Sequence, residues 1–258
     1  MRIKEVIGAL ERFAPLPLQD GFDNAGMQIG LTEAEVAGAL LCLDVTEAVI
    51  DEAIAWDCNL IVAHHPLLFK GCKSITGANY TERCILKAIK NDIAIYAAHT
   101  NLDNAIEGVN FKIAEKIGLT NVHFLEEKNP ESGSGIIGEL DEPETELAFL
   151  KRIKQTFEVS CLKHNKLLGR EIRTVALCGG AGAFLMPAAI ARHADVFITG
   201  EIKYHEYFGR DNDILLAEIG HYESEQYTKE ILYNIIREAF PNLHIQMCRT
   251  NTNPIKYL

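Results

Sequence analysis

Residues 59–66, NLIVAHHP, show how the chain folds: a short apolar run ends in two histidines and a proline. The run LIVA predicts a buried β-strand. Pro66 has no N–H to donate, so it ends that strand. His64 and His65 therefore stand at the carboxyl end of a strand, where open α/β sheets gather their functional groups.

Strand-like and helix-like segments alternate on both sides of this stretch. An apolar run at 37–44 and a helical pattern at 46–57 precede it. A helical pattern at 81–92, an apolar run at 93–100 and a third helical pattern at 107–119 follow it. This βαβαβα order predicts an α/β fold with a largely parallel sheet covered by helices.

The α/β alternation pauses near residue 121 and resumes after Arg170. Between them lie a turn, NPESGSG, a short strand, GIIGEL, and a charged amphipathic helix. We therefore predict two α/β halves, residues 1–120 and 167–258, each with a mostly parallel sheet covered by helices. Residues 121–166 are predicted to connect them, and the second half is expected to pack with the first.

The two predicted halves also resemble each other in sequence. An offset of 135 residues aligns Asp44 with Gly179 at the ends of two strands. An offset of 122 residues aligns His99 with His221, and the carboxylate four residues later in each half. The shared His-x-x-x-carboxylate motif favours a duplication, although any two β-α-β units resemble each other to some degree.

The composition excludes several classes of protein. The chain has 25 Lys and Arg against 36 Asp and Glu, a formal net charge of −11, which argues against nucleic-acid and membrane partners. No segment approaches the roughly 18 consecutive apolar residues of a bilayer span. The seven cysteines are scattered without C-x-x-C, and the N-terminus lacks the apolar core of a signal peptide, so we expect a cytoplasmic protein.

Candidate metal ligands follow three of the predicted strands. They are His64 and His65, then His99 and Asp103, then His221, Glu223 and Glu225. Imidazole with carboxylate suits zinc, iron, manganese, nickel or cobalt more than calcium. Because successive strand side chains point to opposite sides, two adjacent histidines are ill placed to share one ion and suit two neighbouring ions better. The alternative is that His99, Asp103 and Glu225 cap the helices that follow.

Other polar residues lie at predicted turns. Asp23 and Asn24 either line a pocket or form an Asx turn. Glu201 and His205 follow a second-half strand, so they are candidates for orienting a ligand or for acid–base work. The loop GGAG at 179–182 lacks the spacing of a phosphate-binding motif, and a tight strand-to-helix turn is favoured over an anion site.

Several motifs together resemble a known family. They are FDNAGMQIG, NLIVAHHPLLF, AAHTNLDNA, GIIGEL, TGEIKYHE and GHYESE, and they span nearly the whole chain. This set resembles the Ngg-one-interacting-factor-three-like family, many members of which are named GTP cyclohydrolase I type 2 homologue. Glu201 stands where many relatives have Asp, and the connector is too short for the extra domain of longer members.

The resemblance implies a two-domain α/β fold with a dinuclear metal site between the halves. It implies two divalent cations per subunit and a toroidal homohexamer built from dimers. By matching motif, the metal ligands are His64, His65, Asp103, His221 and Glu225, with Glu225 shared by both ions. His99 is left as a neighbour of the ligands.

The leading functional hypothesis is a dinuclear metal-dependent hydrolase that acts on a small molecule. If the GTP cyclohydrolase label applies, a metal-bound hydroxide attacks the guanine imidazole ring, and His99 or His205 delivers a proton. The polar cluster of His99, Glu201, His205 and Glu223 at strand ends favours this hypothesis over a metal-binding regulatory or scaffold protein without turnover. DNA binding through a toroid conflicts with the net charge unless its channel is locally basic.

Overall fold

The computed structural model describes residues 1–210 and 212–258 and divides the chain into two units. Unit 1 comprises Met1–Leu102 and Thr228–Pro254. Unit 2 comprises Asp103–Tyr227 and Ile255–Leu258. Each unit combines a β-sheet with helices, which makes the fold a mixed α/β fold.

The elements are numbered in chain order. Unit 1 contains the strands β1 (Gly26–Ile29), β2 (Ala39–Cys42), β3 (Leu60–Ala63), β4 (Ala94–Ala97) and β11 (Ile245–Met247), and the helices α1 (Ile3–Phe13), α2 (Glu47–Ala55), α3 (Tyr80–Lys90) and α9 (Thr228–Ala239). Helix α4 (Thr100–Asp103) spans the point where the chain passes from unit 1 to unit 2. Unit 2 contains the strands β5 (Thr120–Asn129), β6 (Ser132–Thr145), β7 (Lys163–His164), β8 (Glu171–Cys178), β9 (Val196–Thr199) and β10 (Leu215–Glu218), and the helices α5 (Val109–Ile117), α6 (Glu146–Thr156), α7 (Met186–Ala191) and α8 (His221–Glu225). None of the helices formed by the described residues is long and apolar enough to cross a membrane.

The sheet of unit 1 is largely parallel, as predicted. Its strands lie in the order β1-β4-β3-β2-β11, and β1 alone among these described strands runs antiparallel to its neighbour. Cys42 pairs with Ala63, and Ala63 pairs with Ala97, so β2, β3 and β4 end at the same level. The residues that follow these three strands therefore begin at one edge of the sheet.

The core of unit 1 explains why these short segments form strands. Every residue of β2, β3 and β4 is buried, as expected for parallel strands covered on both faces. Leu40, Ile61 and Ile95 pack with Val49 of α2 and Ile85 of α3 in one hydrophobic cluster. Burial of each such side chain contributes about 1.5–3 kcal/mol.

The sheet of unit 2 is mixed: the strands of the predicted second half pair in parallel, as predicted, and strands from residues 120–164 join them in antiparallel pairs. Its strands lie in the order β5-β6-β8-β9-β10-β7. β8, β9 and β10 are parallel, but β5, β6 and β7 each pair antiparallel with their neighbours. β5 shows no strand pattern in the sequence because most of its side chains are exposed and it contains the charged run Glu126, Glu127 and Lys128.

The units also divide the chain differently from the predicted ranges. Residues 121–166, predicted as a connector, contain the β5–β6 hairpin, and β6 pairs with β8 in the sheet of unit 2. Residues 228–254, predicted in the second half, belong to unit 1, where α9 packs against α1 and β11 pairs with β2. Periodicity identifies a strand but does not specify which distant strand it pairs with.

Glu82 fixes the loop that precedes α3. Its carboxylate accepts hydrogen bonds from the N–H groups of Thr76 and Ala78, both at 2.9 Å, and from the Asn79 side chain at 2.8 Å. Asn79 in turn caps the helix by accepting from the Glu82 N–H at 3.0 Å. The hydrogen bonds from Thr76 and Ala78 lower the pKa of Glu82 to about 2.

Glu82→Gln is expected to lower the free energy of unfolding at pH 7, because an amide replaces the carboxylate that accepts these bonds. The carboxyl has a pKa of 4.5 in the unfolded chain and about 2 in the folded chain. Its stabilising contribution is thus complete above pH 4.5 and is lost as the pH falls toward 2. Urea unfolding of the metal-free proteins should show the stability difference shrinking over this pH range.

Glu115→Gln serves as the matched control, because this exposed side chain pairs with Lys112 on the same helix. Such surface pairs contribute little to stability. A difference between wild type and Glu82→Gln that stays constant from pH 4.5 to pH 2 would contradict the assignment.

Candidate functional site

Two neighbouring strand ends in unit 1 bring three histidines to one place. His64 and His65 directly follow β3, and His99 lies two residues after β4. Their ring centroids are 4.8 Å (His64–His65), 5.3 Å (His64–His99) and 5.5 Å (His65–His99) apart. One ligand nitrogen from each of the three rings lies within 4.8 Å of the others. Unit 1 thus presents a compact group of imidazole nitrogens suited to a metal ion.

Each ring of this group is oriented through its Nδ1 atom. The Nδ1–H of His64 donates to the carbonyl of Ala98 at 2.8 Å, and that of His65 donates to Asp44 Oδ1 at 2.7 Å. The Nδ1–H of His99 donates to Asp23 Oδ1 at 2.7 Å. A neutral imidazole that donates through Nδ1 carries its lone pair on Nε2. This arrangement is the one that metal-binding histidines use to orient their ligand nitrogen.

Asp23 is the acceptor that orients His99. Its second oxygen accepts from the Thr100 hydroxyl and from the Thr100 N–H, the latter at 3.0 Å. Burial raises the pKa of Asp23, but the hydrogen bonds from His99 and Thr100 outweigh burial and lower the pKa to about 2. The carboxylate is therefore ionised at neutral pH and acts as an acceptor. This finding favours the pocket-lining interpretation of Asp23 over a simple Asx turn.

Asp44 orients His65 in the same manner. It lies two residues after β2, and its Oδ2 accepts from the Thr252 hydroxyl at 2.6 Å. Burial raises the pKa of Asp44, but the hydrogen bond from His65 and its charge reverse the effect and leave the pKa below the usual value. In the sequence, Asp44 is notable only because it aligns with Gly179 of the other half. Its position after a parallel strand, equivalent to that of His65, was a signal for this role.

The expectation that His64 and His65 point to opposite sides is not met. It assumed that both residues continue strand β3, but the strand ends at Ala63. The His65 N–H donates to the carbonyl of Leu43 at 2.9 Å, and that of His64 to the same carbonyl at 3.2 Å. The chain therefore bends at this point, and strand alternation no longer applies to the two rings.

Unit 2 contains a second group of candidate ligands at its own strand ends. His221 and Glu225 lie on one face of α8, which begins shortly after β10, and His221 Nε2 is 3.1 Å from Glu225 Oε2. The Nδ1–H of His221 donates to Glu201 Oε1 at 2.8 Å, and Glu201 lies two residues after β9. His221 is thus oriented through Nδ1 like the histidines of unit 1.

The glycine loop after β8 closely approaches this group. A Cβ atom added at Gly180 would lie 2.3 Å from Glu225 Oε1 and 3.2 Å from His221 Nε2. The N–H groups of Gly179, Gly180 and Gly182 donate to the side chains of Asn110, Ser224 and Thr199. Because these donors are used within the protein, the loop is a tight turn beside the ligands and not an anion site.

Asp103 belongs to the same unit as this loop. Its backbone carbonyl accepts from the Asn110 side chain at 3.1 Å, and Asn110 also accepts from Gly179 N–H at 2.9 Å. Asn110 therefore links the chain at Asp103 to the glycine loop. Asp103 is the last residue of α4, and α5 is capped at Gly108, so Asp103 does not occupy the N-cap position. Glu225 likewise is the last residue of α8.

Two further candidates lie apart from this geometry. His205 is exposed on the single-turn helix Tyr204–Tyr207, and its ring contacts Tyr204 and Phe208 at 5.2 and 6.1 Å between centroids. Its acid–base role stays a prediction. Glu223 is buried with its carboxylate folded against Gly220, where an added Cβ would meet Oε2 at 2.1 Å.

The donor chemistry of both groups fits divalent transition metals. Imidazole nitrogen and carboxylate oxygen are the ligands present, and the oxygen acceptors behind His64, His65 and His221 supply the outer hydrogen bonds that such ligands require. The close approach of Gly180 leaves the side chains of His221 and Glu225 little room to move elsewhere.

Comparison with known families gives the same answer as the motifs. The model of the family Duf34/NIF3 (NGG1p interacting factor 3) matches residues 1–254. The chain belongs to the DUF34/NIF3 family.

Curated and solved proteins are similar to most or all of the chain. A protein of Clostridium acetobutylicum named GTP cyclohydrolase 1 type 2 homolog is 32% identical, covering 100% of this chain and 99% of that protein. One from Clostridium perfringens with the same name is 36% identical over 87% of each chain. The crystal structure of a hypothetical protein of Staphylococcus aureus matches with a TM-score of 0.94 and 29% identity, covering 100% of this chain and 99% of that one.

Gly180→Ala is expected to weaken binding of divalent metal about 10- to 100-fold, the range typical when the surroundings of metal ligands are disturbed. The added methyl group would displace Glu225 and His221 from their present positions. Titration of the metal-free protein with Zn²⁺ or Mn²⁺ measures the change.

Gly169→Ala provides the control for backbone strain. Both glycines have positive φ, +58° for Gly180 and +75° for Gly169, but a Cβ at Gly169 meets nothing within 4 Å. Backbone strain should therefore cost each variant about 1 kcal/mol of stability, and only Gly180→Ala should weaken metal binding. Equal metal affinities for the two variants would contradict the assignment.

Proposed function

We propose that this DUF34/NIF3 protein is a dinuclear metal-dependent hydrolase acting on a small molecule. The proposed ligands are His64, His65, Asp103, His221 and Glu225, which we propose bind two divalent cations per subunit. The observation that carries the proposal is the orientation of His64, His65 and His221, each through an Nδ1–H held by an oxygen acceptor.

The ligand types determine what such a site can do. Asp103 and Glu225 supply carboxylates, of which Glu225 is proposed to serve both ions. The histidines supply neutral nitrogens, which suits zinc, iron, manganese or nickel. When bound, the two cations would lower the pKa of a water molecule and polarise the bond under attack.

His99 is proposed to move the proton in this reaction. Ionised Asp23 accepts from its Nδ1–H, so Nε2 can accept a proton, and the resulting imidazolium is stabilised by the same carboxylate. Glu201 is proposed to position His221 through the 2.8 Å hydrogen bond that Glu201 Oε1 accepts from the His221 Nδ1–H. His205 is kept as a second candidate for acid–base work.

Guanine nucleotides are the proposed substrate class because relatives carry the name GTP cyclohydrolase 1 type 2 homolog. The reaction would be hydrolytic opening of the guanine imidazole ring. The alternative is a metal-binding regulatory or scaffold protein without turnover, which would not need a group that transfers protons. The hydrogen bond from His99 to Asp23 orients His99 Nε2 for proton transfer and therefore supports the enzyme over this alternative.

We further propose that the two halves arose by duplication and that the chain forms a homohexamer. In support of duplication, each sheet contains three parallel strands adjacent in chain order, β2-β3-β4 and β8-β9-β10, with candidate site residues after them. Large exposed side chains such as Phe184, Tyr204 and Phe208 support an assembly that covers part of the surface.

Metal analysis of the purified protein should give about two divalent ions per chain, and His65→Ala should lose at least one of them. The reason is that a histidine ligand contributes strongly to metal affinity when its other ring nitrogen donates a hydrogen bond, as His65 Nδ1–H does to Asp44. Turnover should be assayed on GTP and a small panel of phosphoesters with both proteins.

His123→Ala is the control, because His123 is exposed and its Nδ1 contacts only the nearby carbonyl of Asn121 among the bonds described for it. Fewer than one metal per wild-type chain would contradict the dinuclear site. Full metal occupancy without turnover on any substrate would favour the scaffold alternative.

His99→Gln is expected to reduce kcat about 10²- to 10⁴-fold, the usual contribution of a general acid or base, with the metal content unchanged. Asp23→Asn should give a smaller reduction, about 10- to 100-fold, because His99 loses its ionised acceptor. Steady-state kinetics and metal analysis of the same samples measure both effects.

His123→Gln again serves as the matched histidine control. A loss of metal from His99→Gln would contradict the proton-transfer role and would make His99 a ligand instead. An unchanged kcat would also contradict that role.

A further inference from the structure

Two phenylalanine rings stand exposed beside the histidine group of unit 1. Phe22 is 68% exposed and Phe69 is 45% exposed. Their ring centroids are 6.3 Å apart and their planes meet at 63°. Phe69 also lies edge-on to the ring of His99, with the centroids 6.1 Å apart. The two rings therefore form an aromatic corner next to the residue proposed to transfer a proton.

Hydrogen bonds between two loops hold this aromatic corner in place. Asn24 Nδ2 donates to the carbonyl of Leu68 at 2.8 Å, and the Leu68 N–H donates to Gln28 Oε1 at 3.1 Å. Gln28 Nε2 also donates to the carbonyl of Asn24 at 2.7 Å. Phe69 directly follows Leu68, and Phe22 lies two residues before Asn24. The corner is thus built by ordered loops.

The histidine group and the aromatic corner share one anchor. Asp23, the residue after Phe22, accepts the 2.7 Å hydrogen bond from His99. Phe22 is therefore the chain neighbour of the carboxylate that holds the imidazole of His99. Burial of an aromatic side chain is energetically favourable. Two large rings exposed side by side at a candidate site therefore indicate a surface that a ligand covers.

We propose that Phe22 and Phe69 form a stacking subsite for a planar heteroaromatic ring of the substrate. A planar ring stacked on the face of either phenylalanine meets the other phenylalanine edge-on, and both arrangements are favourable for aromatic groups. The inference deepens the proposed hydrolase function and rests on it for the identity of the reacting group. It assigns the substrate class by its ring: compounds with a purine or similar ring bind here, and phosphoesters without one do not.

The test compares binding of two probes that differ in the ring. GTP carries a purine and inorganic tripolyphosphate carries the phosphate chain alone. In the metal-loaded protein, Phe22→Leu and Phe69→Leu should each weaken GTP binding roughly 10-fold in titration calorimetry, within the range for loss of one base–aromatic stack. Leucine keeps the apolar character and removes the aromatic face. Affinity for tripolyphosphate should stay the same.

Tyr80→Leu is the matched control, because Tyr80 is a 54% exposed aromatic residue of the same unit on helix α3. It should leave both affinities unchanged. Proton NMR provides a second readout: the purine H8 signal of bound guanosine should shift upfield in wild type through the ring currents of the phenylalanines, and less in the variants.

Three results would overturn the subsite. They are unchanged GTP affinity in both phenylalanine variants, an equal loss for GTP and tripolyphosphate, and a change in the mass of the assembly that accounts for the loss. The last would make the corner a subunit contact. Ring-dependent binding that persists in a protein without turnover would retain the subsite and refute the hydrolase function, so the two failures are distinguishable.

Discussion

Parallel pairing in level register is the constraint on which the candidate site depends. In unit 1 the last residues of β2, β3 and β4 pair with one another, and in unit 2 those of β8, β9 and β10 do the same. Residues that follow these strands begin at one edge of their sheet. A few polar residues after short apolar strands therefore suffice to gather ligands, although they are far apart in the chain.

The second requirement is that each imidazole presents the correct nitrogen. His64 uses a backbone carbonyl for this purpose, whereas His65, His99 and His221 use the carboxylates of other strand ends or loops. Because of these acceptors, each imidazole ring is oriented by the fold of its own unit and does not depend on an ion for its orientation. Charged acceptors form stronger hydrogen bonds than neutral ones, and the low pKa of Asp23 reflects that strength.

Local sequence patterns predicted the parts of the site that depend on single strands. Apolar runs ended by histidine or carboxylate indicated β3, β4 and β10 and the residues after them. Two features were beyond such patterns. The β5–β6 hairpin has an exposed, charged edge strand without apolar periodicity, and β11 joins β2 across most of the chain length. The close approach of the His64 and His65 rings depends on where β3 ends, and the bend whose N–H groups donate to the Leu43 carbonyl determines that point.

We propose that the Nδ1 partners of His64, His65 and His221 set these histidines to bind divalent cations through Nε2. A crystal structure of the metal-loaded protein, with anomalous differences measured at the absorption edge of the metal, tests this claim most directly. We predict two anomalous peaks per chain, bonded to Nε2 of His64, His65 and His221 and to carboxylate oxygens. Peaks bonded to Nδ1, or peaks remote from these residues, would contradict the account.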